Sequence, residues 1–130
     1  LYHLFPESSK ELEMKNILVV DDEEDLGRLY KKELCEEGYQ VVVAKSGEEA
    51  LEVAGTQEVN LVILDIKLSG ENGLEVLDRL KREDNHLPVI LNSAYSTYKG
   101  DFSSWLADAY VVKSPNLDEL KGRIRELLRM

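Results

Sequence analysis

Five short apolar segments, at residues 17–20, 41–44, 61–64, 88–91 and 110–112, punctuate the chain, and amphipathic stretches fill the intervals. The segments are continuous rather than alternating and rich in aliphatic and β-branched side chains, as parallel strands covered on both faces are. The intervals carry apolar residues at helical spacing: Leu26, Leu29, Tyr30 and Leu34; then Leu74, Leu77 and Leu80; finally Leu117, Leu120, Ile124 and Leu127. Start and stop signals agree. Ser46 and Glu49 have capping-box spacing, as do Asn116 and Glu119, and Gly38 follows the first helical stripe as a stop. Strand and helix alternating five times imply right-handed crossovers, hence an α/β fold: a doubly wound parallel sheet of order 2-1-3-4-5 with helices on both faces.

The bulk properties narrow the class. A chain of 130 residues, 43% hydrophobic and 32% charged, makes one domain with a core that needs no disulfide or structural metal. No apolar run is long enough to span a bilayer and the first residues lack the basic-then-apolar pattern of a signal peptide, so no membrane insertion and a cytoplasmic location are expected. The lone Cys35 reads as a small helix residue of a reducing compartment. A net charge of −10 disfavours direct nucleic-acid binding, since phosphates would be repelled. Residues 1–13 stand outside the pattern. Met14-Lys15-Asn16 leads straight into the first strand, which marks 1–13 as an N-terminal extension, upstream or appended, and 14–130 as the domain.

In open α/β sheets the ligand site lies beyond the carboxyl ends of the strands. The first segment runs into Asp21 and Asp22, the third into Asp65, the fourth through Asn92 into Ser93, and the fifth ends at Lys113. One acid after a strand commonly caps the next helix. Three converging acids are harder to explain that way: two unit charges about 4 Å apart repel by roughly 4 kcal/mol at an effective dielectric near 20, so the group needs a counter-charge. An all-oxygen set without histidine or thiolate suits Mg2+, with Mn2+ as an alternative, rather than zinc. Phosphoryl chemistry follows. Asp65 is the natural nucleophile, Lys113 a partner for one phosphate oxygen and Ser93 a donor to another.

The same residues carry a family resemblance. Ile-Leu-Val-Val-Asp-Asp-Glu at 17–23, Asp-Ile-Lys-Leu-Ser-Gly-Glu-Asn-Gly at 65–73, Ser93-Ala94, and Ala-Asp-Ala-Tyr-Val-Val-Lys at 107–113 resemble the motifs of response-regulator receiver domains of two-component signal transduction, over residues 15–129. The resemblance implies a flavodoxin-like, CheY-like fold and a phosphoprotein switch that takes phosphate from a histidine kinase or phosphotransfer protein, as in a phosphorelay. It further implies metal binding by Asp22 and Asp65, with Asp21 acting partly through water and the backbone carbonyl of Lys67 completing the site. Ser93 and Tyr110 would form the switch: the hydroxyl moves toward the phosphate and the tyrosine ring turns inward. Phosphorylation-dependent homodimerisation through the fourth helix, last strand and fifth helix stays open, as does the output partner.

The chain departs from the family pattern in places. Ser114 stands where relatives have a proline after a cis bond, and a non-proline cis bond costs about 2.5 to 4 kcal/mol, so a rebuilt or strained loop is expected after Lys113. Ser69 replaces the usual proline of the acceptor loop and should loosen the entry to the third helix. Between Ser93 and Lys113 the segment is short, and Ser96, Thr97, Gly100, Ser103 and Ser104 are weak helix formers. Leu106 takes the place of a common glycine, beside Trp105, which packing explains more simply than recognition. Lys67 and Tyr95 are candidates for tuning phosphate lifetime, whereas His3 and His86 have no ligand or relay spacing. Two rivals remain: a phosphorylation-independent interaction module, and a Mg2+-dependent phosphohydrolase, which Lys67 disfavours by occupying the position of a second acid. The leading reading is not an enzyme as usually classified, since transfer and hydrolysis act on its own residue.

Overall fold

The computed structural model describes Phe5, residues 14–94 and residues 106–129. Strands β1 (Asn16–Val20), β2 (Gln40–Ala44) and β3 (Leu61–Leu64) alternate with helices α1 (Glu24–Glu36) and α2 (Gly47–Thr56). After β3 come two short strands, β4 (Lys67–Leu68) and β5 (Glu71–Asn72), then α3 (Gly73–Glu83), β6 (Val89–Ser93), β7 (Ala109–Val112) and α4 (Asp118–Leu128). The main sheet is parallel, in the order β2-β1-β3-β6-β7. Setting the small hairpin aside, this is the order 2-1-3-4-5 read from the sequence.

Successive strand residues serve opposite layers, because side chains alternate across a sheet. Leu18, Val20, Val62, Leu64, Val89 and Leu91 enter one core with Ala50 and Val53 of α2 and Leu74, Leu77 and Leu80 of α3. Ile17, Val19, Leu61, Ile63, Ile90 and Val111 enter the other with Tyr30 and Leu34 of α1 and Leu120 and Ile124 of α4. Both faces of every central strand are thus dry, which explains why these strands read as unbroken apolar runs.

Two helix-end signals are realised and three expectations are corrected. Gly38, at φ 99°, stops α1: its N–H donates to the Cys35 carbonyl and the Tyr39 N–H to that of Leu34, a Schellman arrangement. Ser46 caps α2 by accepting from the Glu49 N–H at 3.1 Å. The carboxylate of Glu49 reaches back to the Lys45 N–H rather than to that of Ser46. Asn116 accepts from the Asp118 N–H at 2.8 Å, so it forms a turn ahead of α4 instead of a capping box with Glu119. Leu29, placed in the first apolar stripe, is exposed, because Tyr30 and Leu34 already fill the α1 face against the sheet.

The hairpin β4–β5 was not foreseen: two-residue strands carry no readable periodicity. The peptide bond joining Lys113 to Ser114 is trans, since the described backbone has no cis bonds. Phe5, from the segment set apart by sequence, is buried in the α2–α3 core and donates its N–H to the Gln57 side-chain oxygen at 2.9 Å. Most of the expected fourth helix, with Tyr95, Gly100 and Trp105, lies outside the described residues, as does His3.

Candidate functional site

β1, β3, β6 and β7 all end on one edge of the sheet, and their parallel register brings the polar residues that follow them together. The ammonium of Lys113, just past β7, lies 2.9 Å from Asp21 Oδ2 and 3.0 Å from Asp65 Oδ2. Asp21 and Asp65 are buried, and each also receives a backbone N–H on its other oxygen: Glu23 to Asp21 at 2.9 Å, and Lys67 to Asp65 at 3.2 Å. Asp22, half-buried, completes the group. One carboxylate oxygen from each of the three acids falls within 4.8 Å of the others.

The acids and the lysine perturb one another in distinguishable ways. Burial pushes the Asp65 carboxyl above its ordinary range, opposed by the Lys113 hydrogen bond and charge. Burial alone would lower the Lys113 ammonium, but the hydrogen bonds it donates to Asp21 and Asp65 outweigh it and hold Lys113 well above its usual value. Asp22 is shifted the other way. The hydroxyl of Ser69 donates to Asp22 Oδ2 and is the main cause that lowers its carboxyl; the Ser69 N–H donates to the same oxygen at 2.8 Å.

Three carboxylates around one ammonium leave excess negative charge in a partly dry pocket. The donors are all hard oxygens, so the set fits a small divalent cation that keeps some of its waters. The backbone that presents them is tightly packed: a Cβ at Gly73 would lie 2.2 Å from the carbonyl oxygen of Asp65, so only glycine lets α3 begin so near the loop that follows β3. The Glu71 carboxylate anchors the hairpin to the start of α2 through the Gly47 N–H at 2.9 Å.

The other expected residues sit on separate elements. Ser93 is fully buried at the end of β6, beside β7, and its carbonyl accepts from the Lys113 N–H at 2.7 Å. Tyr110 is half-buried on β7 and packs against the α2–α3 core. Lys67 is exposed in β4, paired with Asn72. His86 is exposed, and its backbone N–H donates to the Asp84 carboxylate at 3.0 Å. Cys35 is a free, exposed thiol on α1.

Comparison with known proteins decides the family. The model of the response regulator receiver domain matches residues 17–125. The chain belongs to that family. Among curated relatives, the transcriptional regulatory protein YkoG of Bacillus subtilis is 40% identical over 120 residues, covering 91% of this chain and 53% of the relative. Response regulator ArlR of Staphylococcus haemolyticus is 37% identical over 117 residues, covering 89% and 53%. This receiver chain therefore spans about half the length of those curated relatives. Among solved structures, the response regulator TrrA of Thermotoga maritima, in complex with Mg2+ and BeF, is 50% identical with a TM-score of 0.86, covering 88% of this chain and 100% of its own. TrrA bound to the histidine kinase ThkA superposes with a TM-score of 0.84, covering 88% and 99%.

Two contributors to the receiver site were not legible in sequence. Ser69, which the sequence presented only as standing in place of a proline before the third helix, donates its N–H to Asp22 across 47 positions of sequence. Tyr30, read only as core, accepts a hydrogen bond from the Asn92 side-chain amide at 2.9 Å in a fully buried contact one residue before Ser93. In the described residues no helix is long and apolar enough to cross a membrane.

Proposed function

We propose that this receiver domain is a phosphoryl-accepting switch in which Asp65 takes phosphate from a histidine kinase or phosphotransfer protein in a Mg2+-dependent reaction. The observation that carries this reading is Lys113, whose ammonium bridges Asp21 and Asp65 at 2.9 and 3.0 Å within a cluster of three carboxylates. A structural ion pair needs one acid; a second and third beside it raise repulsion that serves no purpose unless a cation and an incoming phosphoryl group share the pocket.

In this reading Asp21, Asp22, Asp65 and the Lys67 backbone carbonyl would hold the ion. When bound, a hard divalent cation offsets negative charge on the transferring group. The remaining work falls to the chain. Lys113 opposes the upward pull of burial on the Asp65 carboxyl and then turns to a phosphate oxygen. An Asp65 carboxylate oxygen forms the new P–O bond as the P–N bond to the donor imidazole breaks. The imidazole leaves with the electron pair and takes a proton from solvent. Attack by water later releases inorganic phosphate and restores the carboxylate.

The added group brings about −1.5 to −2 charges and three acceptor oxygens. Ser93, buried one strand away, would donate to one of them, and Tyr110, half-buried on β7, would respond by repacking. A shift from 1:99 to 99:1 would need about 5.5 kcal/mol of differential stabilisation from these contacts. The test is incubation with a small acyl or amido phosphate donor and Mg2+ followed by intact mass measurement. One phosphate adduct, lost in Asp65→Asn and in chelator, is expected. No adduct with any donor would leave a phosphorylation-independent interaction module; many turnovers on a free phosphoester would favour a phosphohydrolase.

A further inference from the structure

Asp21 and Asp65 are each fixed twice, by the Lys113 ammonium and by a backbone N–H. Asp22 is the most exposed of the three acids and is held by a different residue. Its Oδ2 receives both the hydroxyl and the N–H of Ser69, a residue in the turn between β4 and β5. We propose that Ser69 is a positioning residue that orients the Asp22 carboxylate for the divalent cation. The proposal rests on the metal-dependent reading of the site given above.

The physical case begins with repulsion. Asp22 shares a 4.8 Å neighbourhood with two other carboxylates, and a half-exposed side chain could relieve that repulsion by turning into solvent. Two donors on one oxygen oppose this rotation and leave Oδ1 as the oxygen to offer. Donors that orient a ligating carboxylate commonly affect metal affinity by about 10- to 100-fold. The Ser69 backbone cannot supply both bonds, so the hydroxyl matters in addition to the fold of the turn. Relatives that carry proline here, as the sequence resemblance implies, lack both donors. The chain has replaced loop stiffness with a direct hold on a metal-site acid.

Three variants separate positioning from turn stability. Ser69→Ala removes the hydroxyl and keeps the N–H. Ser69→Pro removes both donors. Ser69 is the first central residue of a turn whose second, Gly70, has φ 71°, and such a turn accepts proline at the first place. Ser69→Thr keeps both donors. Mg2+ affinity is read by calorimetry on the whole chain without a phosphate donor, alongside thermal melts without Mg2+. The expected result is affinity several-fold weaker in Ser69→Ala, about 10- to 100-fold weaker in Ser69→Pro, and within about twofold of the parent in Ser69→Thr, with all variants folded.

The proposal is overturned if the parent binds Mg2+ and both Ala and Pro variants bind within about twofold of it. It is equally overturned if the variants lose affinity only in step with lost thermal stability, Thr included, because that marks Ser69 as a turn residue. If the parent itself shows no Mg2+ binding, the metal-dependent reading of the whole site falls, and this inference with it.

Discussion

The carbonyl oxygen of Asp65 faces the bare Cα of Gly73 so closely that an added methyl would sit 2.2 Å from it and 2.7 Å from Ile66 Cα. Both obstacles are backbone, so neither can yield by a rotamer change. Gly73→Ala should cost about 1 to 3 kcal/mol, the range for overpacking a tight interior, and should move the loop that carries Asp65. Urea denaturation and Asp65 phosphorylation by a small donor both report it. A variant with the parent's midpoint and rate would show that the loop moves aside freely.

Lys113 is the one cation in contact with both buried acids among the described residues. Under the proposed function, replacing it with alanine removes the donor that would meet charge developing on the phosphoryl oxygens, and phosphorylation of Asp65 should slow on the order of 100-fold. Quench-flow or mass measurement over time gives the rate. A loss of only a few-fold would assign Lys113 to holding Asp21 and Asp65 in the resting state alone.

The Tyr30 hydroxyl and the Asn92 amide meet in a fully buried hydrogen bond that ties α1 to the end of β6. Tyr30→Phe leaves a buried donor without this acceptor and should destabilise the domain by about 1 to 3 kcal/mol. Removing both partners, as Tyr30→Phe with Asn92→Leu, should recover part of that loss. Denaturation of the four proteins of this cycle measures the coupling, and simple additivity would argue that the bond carries no special weight.

Glu33 of α1 and Lys121 of α4 form a pair at 2.9 Å. The Lys121 hydrogen bond lowers the Glu33 carboxyl from 4.5, and the Glu33 hydrogen bond raises the Lys121 ammonium from 10.5. A lowered acid contributes stability above its unfolded value and loses it as pH falls through its folded one. A raised base contributes below its unfolded value and loses it as pH rises through its folded one. The stability gap between the parent and Lys121→Met should therefore be level from about pH 5 to about pH 10 and close toward both extremes. Thermal melts across pH test this; a gap independent of pH would indicate packing rather than charge.

The sheet was legible because burial on both faces leaves a mark that local sequence displays. Residues 61–64, Leu-Val-Ile-Leu, have no polar position to spare when each side chain enters one of two cores. Asp21, Asp22, Asp65 and Lys113 were legible for a related reason: Asp21, Asp65 and Lys113 each follow an apolar run directly, Asp22 comes next after Asp21, and parallel strands end on one edge. Ser69 and Asn92 were not. A serine in a loop and an asparagine inside a strand look ordinary until Asp22 and Tyr30, 47 and 62 positions away, arrive beside them. Phe5 was equally silent, since one aromatic residue in a polar stretch has no period.

Sequence alone determined the alternation of strands and helices, and with it which chemical groups collect at the carboxyl edge. Apolar periodicity is a local property, and crossover handedness carries it to topology. Only the folded chain decided which oxygen meets which donor: that Lys113 divides itself between Asp21 and Asp65, while Ser69 takes Asp22. Hydrogen bonds act over about 3 Å, and a separation that small between distant residues is set by packing, not by order along the chain.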